Sequence, residues 1–369
     1  MMYTIKKKRI LNRIILVLFS LCIVMYTFKH IFINISIEIE KAQSFMNTQV
    51  TSCHDMDDNM NSLPIAEKII PPPDSIFFHE TSCRQGLNSR QACSVESAAR
   101  LHPHRNIYVF FNSPIPEAKL VASCLSTLLR YKNVNLARLH NNEYANGTAL
   151  DDMLINKENA WSLFPVAHTA DMLRFVSLYK YGGVYVDTDV LLIKPLDDLG
   201  KDWAARQDLY TVNTAVIALS RHNVGHDLAT RVIEDISVNY RSDEWSYNGP
   251  EALTRSLERI CNTPDVLHMS STTCRGFEVY NSKTFYPFYY DNTTYFLSKS
   301  TSWNTSDDAD RKIYGYHLWN RITRSVKVEM DSPYEKLARK HCPLVRERFG
   351  DNFGADTEYW SVDSEALSP

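Results

Sequence analysis

From His168 to Leu196 the chain reads HTADMLRFVSLYKYGGVYVDTDVLLIKPL, and no other stretch narrows the choice of fold as much. Met172, Leu173, Phe175, Val176, Leu178 and Tyr179 cover most of a helix predicted from Asp171 to Tyr181, and Asp171 and Arg174, three apart, share one of its faces. Gly182 and Gly183 end that helix, because a left-handed turn at a helix C-terminus costs glycine least. Val184, Tyr185 and Val186 then form a short strand that delivers Asp187 and Asp189 at its end. In extended chain, residues i and i+2 project to the same side, so the two carboxylates are expected to converge with Thr188 facing away. Two hard oxygen ligands suit Mg²⁺ or Mn²⁺, which complete their shells with phosphate oxygens and water. A divalent ion held there can neutralise a departing diphosphate, which points to nucleotide-sugar chemistry.

Context gives the triplet its meaning. Asp-x-Asp also occurs at Asp55 with Asp57 and at Asp308 with Asp310, but both of those lie in polar stretches and read as solvated loops. A rival reading of VYVDTDVL is a haloacid-dehalogenase-type phosphohydrolase, with Asp187 as nucleophile and Asp189 as general acid. That motif follows the first strand of its domain, whereas here a long stretch of domain precedes it, and the Gly-Gly-capped helix stays unexplained. A non-catalytic sugar-binding protein is a further alternative.

The amino-terminal segment sets the topology. Residues 14–28 (IILVLFSLCIVMYTF) carry no charge and follow Lys6, Lys7, Lys8, Arg9 and Arg13. With Ile10, Leu11 and Ile31 to Ile33 the apolar stretch approaches the ~20 residues that a bilayer core needs. A cleaved signal peptide is the alternative, but Tyr26 and Phe28 at the end of the run and Lys29, His30 and Phe32 after it hold no small-x-small pattern. The expected layout is a cytosolic tail over 1–13, a transmembrane anchor over 14–33, a polar stem over 34–74 that ends near Pro71, Pro72 and Pro73, and one lumenal domain over 75–369. Six of the 40 Lys+Arg precede Glu38, leaving 34 against all 43 Asp+Glu and a formal charge of −9 beyond the anchor. Nucleic-acid binding is excluded on that ground, since it requires a basic face.

Cysteine usage fits an oxidising compartment. Cys22 lies in the anchor and Cys53 in the stem, leaving Cys83, Cys93, Cys124, Cys261, Cys274 and Cys342. Sequence alone does not choose among their connectivities. The expectation carried forward is Cys83 with Cys93, Cys261 with Cys274 and Cys124 with Cys342. Sequons at Asn146, Asn292 and Asn304 are expected on surface loops, and Asn34 also fits the pattern beside the membrane. Beyond Ser75, a strand at Ile76 to Phe78, a helix from Ser94 to Leu101, a buried strand at Ile107 to Phe111 and a helix from Glu117 to Arg130 alternate, which predicts an α/β domain with a largely parallel sheet.

The DXD stretch resembles the sugar-binding region of DXD-containing glycosyltransferases. CSVESAARLHP, NGPEALTR, CRGFEVY, FYP and YGYHLWN resemble the α1,4-glycosyltransferase family, in the family's order, from about Phe77 to Cys342. The resemblance implies a GT-A-like fold and transfer from a UDP-sugar with retention of configuration, galactose from UDP-galactose being the favoured donor and α1,4-N-acetylglucosaminyl transfer the alternative. It implies a terminal β-galactose or β-N-acetylgalactosamine of a glycolipid or glycoprotein as acceptor, and a type II protein of the Golgi membrane. It also implies Mn²⁺ (or Mg²⁺) on Asp187, Asp189 and His317, with Asp171, Arg174, Gly183 and Asp187 on the donor side. Asn213 would face the donor sugar, with Thr214 in place of the usual small residue. Asn248 would lie near the reacting carbon, or else cap the helix that begins at Pro250. Of the aromatics from Tyr280 to Trp303, most are expected in the core and one or two against the acceptor.

Overall fold

The computed structural model describes residues 58–155, 162–299, 303 and 312–355. The expected tail, anchor and first part of the stem lie outside them, as do Cys22, Cys53, Asn34, Asn304 and the acidic pairs at 55/57 and 308/310. Among the described residues no helix is long and apolar enough to cross a membrane.

Among the described residues there are nine strands: β1 (Ile76–Glu80), β2 (Ile107–Phe111), β3 (Val134–Arg138), β4 (Gly183–Val186), β5 (Val190–Leu192), β6 (Trp203–Arg206), β7 (Val212–Leu219), β8 (Glu278–Tyr280) and β9 (Gly315–His317). Seven form one sheet in the order β3-β2-β1-β4-β7-β6-β8, in which β7 alone runs against the rest, and β5 with β9 forms an antiparallel ribbon. This is the mostly parallel α/β sheet expected. Strand order reverses between β1 and β4, so the crevice at the carboxyl ends of those strands is where such a sheet receives a ligand.

Both faces of the sheet are covered, which is why β2 reads IYVFF without alternation. Ile76, Phe78, Val109 and Phe111 pack with Ala92, Val95 and Ala98 of the Ser89–Leu101 helix. Phe77, Tyr108 and Phe110 sit in a second layer with Met172, Phe175 and Val176 of the Pro165–Tyr181 helix and with Leu228, Val232, Leu253 and Leu257 of the two helices Asn223–Asn239 and Pro250–Cys261. Each fully buried Phe or Leu contributes about 1.5–3 kcal/mol relative to exposure.

Several elements depart from expectation for identifiable reasons. The first helix begins at Ser89 rather than Ser94, because Asn88 and Gln91 close a reciprocal capping box there and Cys93 falls inside the helix. The helix expected over Glu117 to Arg130 divides into Glu117–Ala122 and Leu125–Leu128, since Ser123 is extended at ψ 179°. The end of the expected stem packs on the domain: Leu63 is in the core, Ile65 bridges to Arg138 and Asp58 pairs with Arg138 at 3.0 Å. Cys93 pairs with Cys342, correcting two of the expected disulfides, while Cys261 pairs with Cys274 as expected. Cys83 is disulfide-bonded, but not to Cys93. Cys124 is buried, its thiol donating to the Leu87 carbonyl at 3.1 Å. Asn146 and Asn292 are both exposed.

Four buried histidines give the fold a pH dependence of known sign. Burial pushes His79 down to about 3 and His102, His168 and His341 down to about 4, with Arg174, Arg321 and Lys340 adding to the depression of His79, His168 and His341 respectively. The unfolded chain takes up these protons near pH 6.5, while the folded chain resists down to about pH 4, so stability is complete above 6.5 and is lost as pH falls through that window. Unfolding midpoints in urea at pH 7 and pH 5 should differ by a stability on the order of several kcal/mol. Equal midpoints would show that these rings are not buried neutral.

Candidate active site

Three carboxylates, one guanidinium and one imidazole converge where β4 ends. Asp187 and Asp189 do not continue the strand as expected; they lie in a tight turn between β4 and β5, closed by the Val190 N–H donating to the Asp187 carbonyl at 3.1 Å. Ser94 holds this turn by donating to the Asp187 and Val190 carbonyls, and the Gln91 amide donates to Thr188 Oγ1 at 3.3 Å, so Thr188 faces the Ser89–Leu101 helix. The Asp187 N–H donates to the Ala215 carbonyl of β7 at 2.7 Å, which fixes the turn against the sheet.

The β5–β9 ribbon brings in the third partner, because Val190 pairs with His317. His317 Nε2 lies 3.3 Å from Asp189 Oδ1, and its buried Nδ1 has no hydrogen-bond partner among the described residues. Beyond it, Trp319 adopts a left-handed conformation at φ 50°, and the next residue, Asn320, donates its N–H to Asp189 Oδ2 at 2.8 Å. Ligand atoms of Asp187, Asp189 and His317 all lie within 4.8 Å of one another. Two carboxylate oxygens and an imidazole nitrogen make a donor set that fits Mn²⁺ or Mg²⁺. A second group with this proximity, Glu67, His140 and Glu143, differs in that Asp58 and Glu67 already occupy both ring nitrogens of His140.

Arg174 supplies the opposing charge. From the Pro165–Tyr181 helix its Nη2 lies 3.1 Å from both Asp171 Oδ1 and Asp187 Oδ1, and its guanidinium carbon lies 4.7 Å from the centre of the Tyr185 ring. The Tyr185 hydroxyl donates to Asp187 Oδ1 at 2.6 Å. Burial pushes Asp171 up to about 7, with Asp187 adding to the rise and Arg174 opposing it. Burial also raises Asp187, Arg174 again opposing and Asp189 adding. Burial works to raise Asp189 as well, but His317 and the Asn320 N–H hold it below the usual carboxylate range. Burial disfavours the Arg174 cation, yet Asp187, Tyr185 and Asp171 hold it charged. One fixed cation facing three carboxylates leaves an anionic crevice for a divalent ion to balance.

The remaining expected residues take other places. Gly183, at φ 97°, lies at the opposite end of β4 from Asp187, and a Cβ there would meet the Ser75 carbonyl at 2.4 Å. Its observed role is close packing of the start of β4 against Ser75, just before β1. Asn213 Oδ1 accepts from the Ala215 N–H at 2.7 Å and from the Tyr286 hydroxyl at 3.1 Å, while its Nδ2 donates to Gln207. Asn248 does not cap the Pro250–Cys261 helix, whose N-cap is Gly249. Its amide exchanges hydrogen bonds with the Arg241 backbone at 2.9 and 2.7 Å and its Nδ2 lies 3.2 Å from His168. Gly249 is what this loop brings to the site, since a Cβ there would meet Asp171 Oδ1 at 2.3 Å. Among the aromatics, Phe285, Tyr286 and Phe296 are core, while Tyr289 and Tyr290 lie 5.7 and 6.1 Å from Trp319, which is itself 4.3 Å from His317.

Two family models divide this geometry between them. The glycosyltransferase sugar-binding region containing the DXD motif matches residues 88–206, and with it Asp187 and Asp189. The α1,4-glycosyltransferase conserved region matches residues 221–349, and with it Gly249 and His317. The chain thus carries both the sugar-binding DXD region of glycosyltransferases and the conserved region of α1,4-glycosyltransferases. Human lactosylceramide 4-alpha-galactosyltransferase is 29% identical over 285 residues, 75% of this chain and 78% of the relative. Human alpha-1,4-N-acetylglucosaminyltransferase is 29% identical over 277 residues, 73% of this chain and 78% of the relative. A solved galactosyltransferase in complex with donor and acceptor sugar analogs covers 74% of this chain and 95% of its own, at 16% identity and a TM-score of 0.39. Within this glycosyltransferase, Tyr185 and the Asn320 N–H are site groups the sequence did not expose: Tyr185 reads as an ordinary strand residue, and Asn320 reaches Asp189 only through the pairing of β5 with β9.

Proposed function

We propose that this chain is an α1,4-glycosyltransferase that transfers galactose from UDP-galactose, with retention, to a terminal β-galactose or β-N-acetylgalactosamine of a glycosphingolipid or glycoprotein. The supporting observation is the Asp187–Asp189–His317 cluster at the carboxyl end of β4, in a chain whose relatives include lactosylceramide 4-alpha-galactosyltransferases. Mn²⁺ on these three residues would stabilise the charge that develops on the leaving diphosphate. Arg174 and Tyr185 hold one oxygen of Asp187, so the carboxylate is oriented before substrate arrives. Asp171 and Arg174 line the donor side, and Tyr289 and Tyr290 offer aromatic faces to the acceptor. Attack of the acceptor hydroxyl from the face that UDP leaves is the working mechanism, and trapping of a covalent sugar on an Asp or Glu would overturn it. The address proposed is the Golgi membrane, with residues 14–33 as anchor and the domain in the lumen.

A donor panel tests the reading. The full chain, made in an oxidising secretory host, should turn over UDP-galactose in preference to UDP-N-acetylgalactosamine and UDP-N-acetylglucosamine with a β-galactoside acceptor. Turnover of UDP-N-acetylglucosamine alone would establish the alternative donor instead.

A further inference from the structure

The Arg174 guanidinium is held on every side. Its Nε donates to the Ala170 carbonyl at 3.3 Å, its Nη2 serves Asp171 and Asp187, and its Nη1 donates to the hydroxyl of Thr214 on β7. Thr214 is buried and lies one residue before Ala215, whose carbonyl takes the Asp187 N–H. One short segment of β7 thus fixes Asp187 twice, through the Ala215 carbonyl on its backbone and through Thr214 and Arg174 on its carboxylate. Both carboxylate bonds, from Arg174 and from Tyr185, fall on Oδ1. Among the described residues Oδ2 is therefore the oxygen left to face an external ligand.

We propose that Thr214 is a positioning residue for the divalent-metal site: by fixing the rotation of the Arg174 guanidinium it commits Asp187 Oδ1 to the protein and presents Oδ2 to the ion. This rests on the metal-dependent reading of the site. Partners that orient a ligating carboxylate from behind change metal affinity by about 10–100-fold when removed. A hydroxyl is the part that matters. Valine, which has the shape of threonine without the acceptor, leaves an Nη1 donor unmatched and lets the fork turn, whereas serine keeps the bond.

The test is Mn²⁺ binding by the full chain without sugar nucleotide, read as free Mn²⁺ by electron paramagnetic resonance. Thr214→Ser should bind within about twofold of the wild type and Thr214→Val at least about 10-fold more weakly. Wild-type affinity in Thr214→Val overturns the proposal, and so does an equal loss in both variants, which would show that keeping the hydroxyl does not preserve the site. Should Thr214→Val fail to fold, Thr214→Ala is read against the same serine control. A wild-type chain that binds no Mn²⁺ either alone or with UDP present removes the metal reading itself, a result distinct from either of those.

Discussion

Asp189→Ala is expected to lower transfer by about a thousandfold or more while the protein still folds and is secreted. Asp189 is tied to both halves of the metal-capable cluster, with Oδ1 3.3 Å from His317 Nε2 and Oδ2 accepting from the Asn320 N–H. A metal that offsets diphosphate charge supplies several kcal/mol in the transition state, and about 4 kcal/mol corresponds to a thousandfold in rate. The stability cost is smaller, because the carboxylate is partly exposed and the orphaned N–H and imidazole lose about 1–3 kcal/mol between them. Asp189→Asn separates the two effects, since its amide oxygen still accepts from Asn320 but brings no charge. Both variants should be inactive with near-native melting, measured as UDP release and as thermal unfolding. Full activity in either would dissociate Asp189 from the chemistry.

The largest stability effect belongs to Cys93–Cys342. These cysteines are 249 residues apart, and the bond joins the interior of the Ser89–Leu101 helix to the junction between the Pro333–His341 and Pro343–Phe349 helices. Closing a loop of that length in the unfolded chain corresponds to about 5 kcal/mol in the chain-entropy picture, a sizeable part of the 5–15 kcal/mol by which domains are stable. Cys342→Ser should therefore lower the urea midpoint sharply or prevent secretion at 37 °C. The Cys261–Cys274 loop spans 13 residues, so Cys274→Ser should cost less, about 3 kcal/mol. A larger loss for Cys274→Ser than for Cys342→Ser would contradict the ordering.

What the sequence disclosed follows from range. β2 was legible because burial on both faces writes a continuous apolar run, and the DXD triplet was legible because helix, glycine pair and strand precede it within a few residues. Gly182 and Gly183 are legible as a helix stop, yet the close approach of Gly183 to Ser75 depends on chain about a hundred residues earlier. The convergence of Asp187 and Asp189 was anticipated, but by the wrong local geometry, since a turn held by Ser94 brings it about rather than strand pleating. Arg90 and Gln91 hid the first turn of their helix because both are polar, yet both are buried: Arg90 donates to the Thr323 carbonyl at 2.9 Å and Gln91 closes the cap. Thr214 and Arg174 are 40 residues apart, and no periodicity joins them. The pairing of Cys93 with Cys342 was out of reach for the same reason.

The most direct measurement is UDP release from UDP-galactose by the full chain after stripping with EDTA and stepwise return of Mn²⁺. If Asp187, Asp189 and His317 hold the ion that serves sugar transfer, the stripped enzyme is inactive, Mn²⁺ restores turnover, and His317→Ala requires far more Mn²⁺ or fails to recover. Undiminished turnover in EDTA, or recovery in His317→Ala at the wild-type Mn²⁺ concentration, would contradict it.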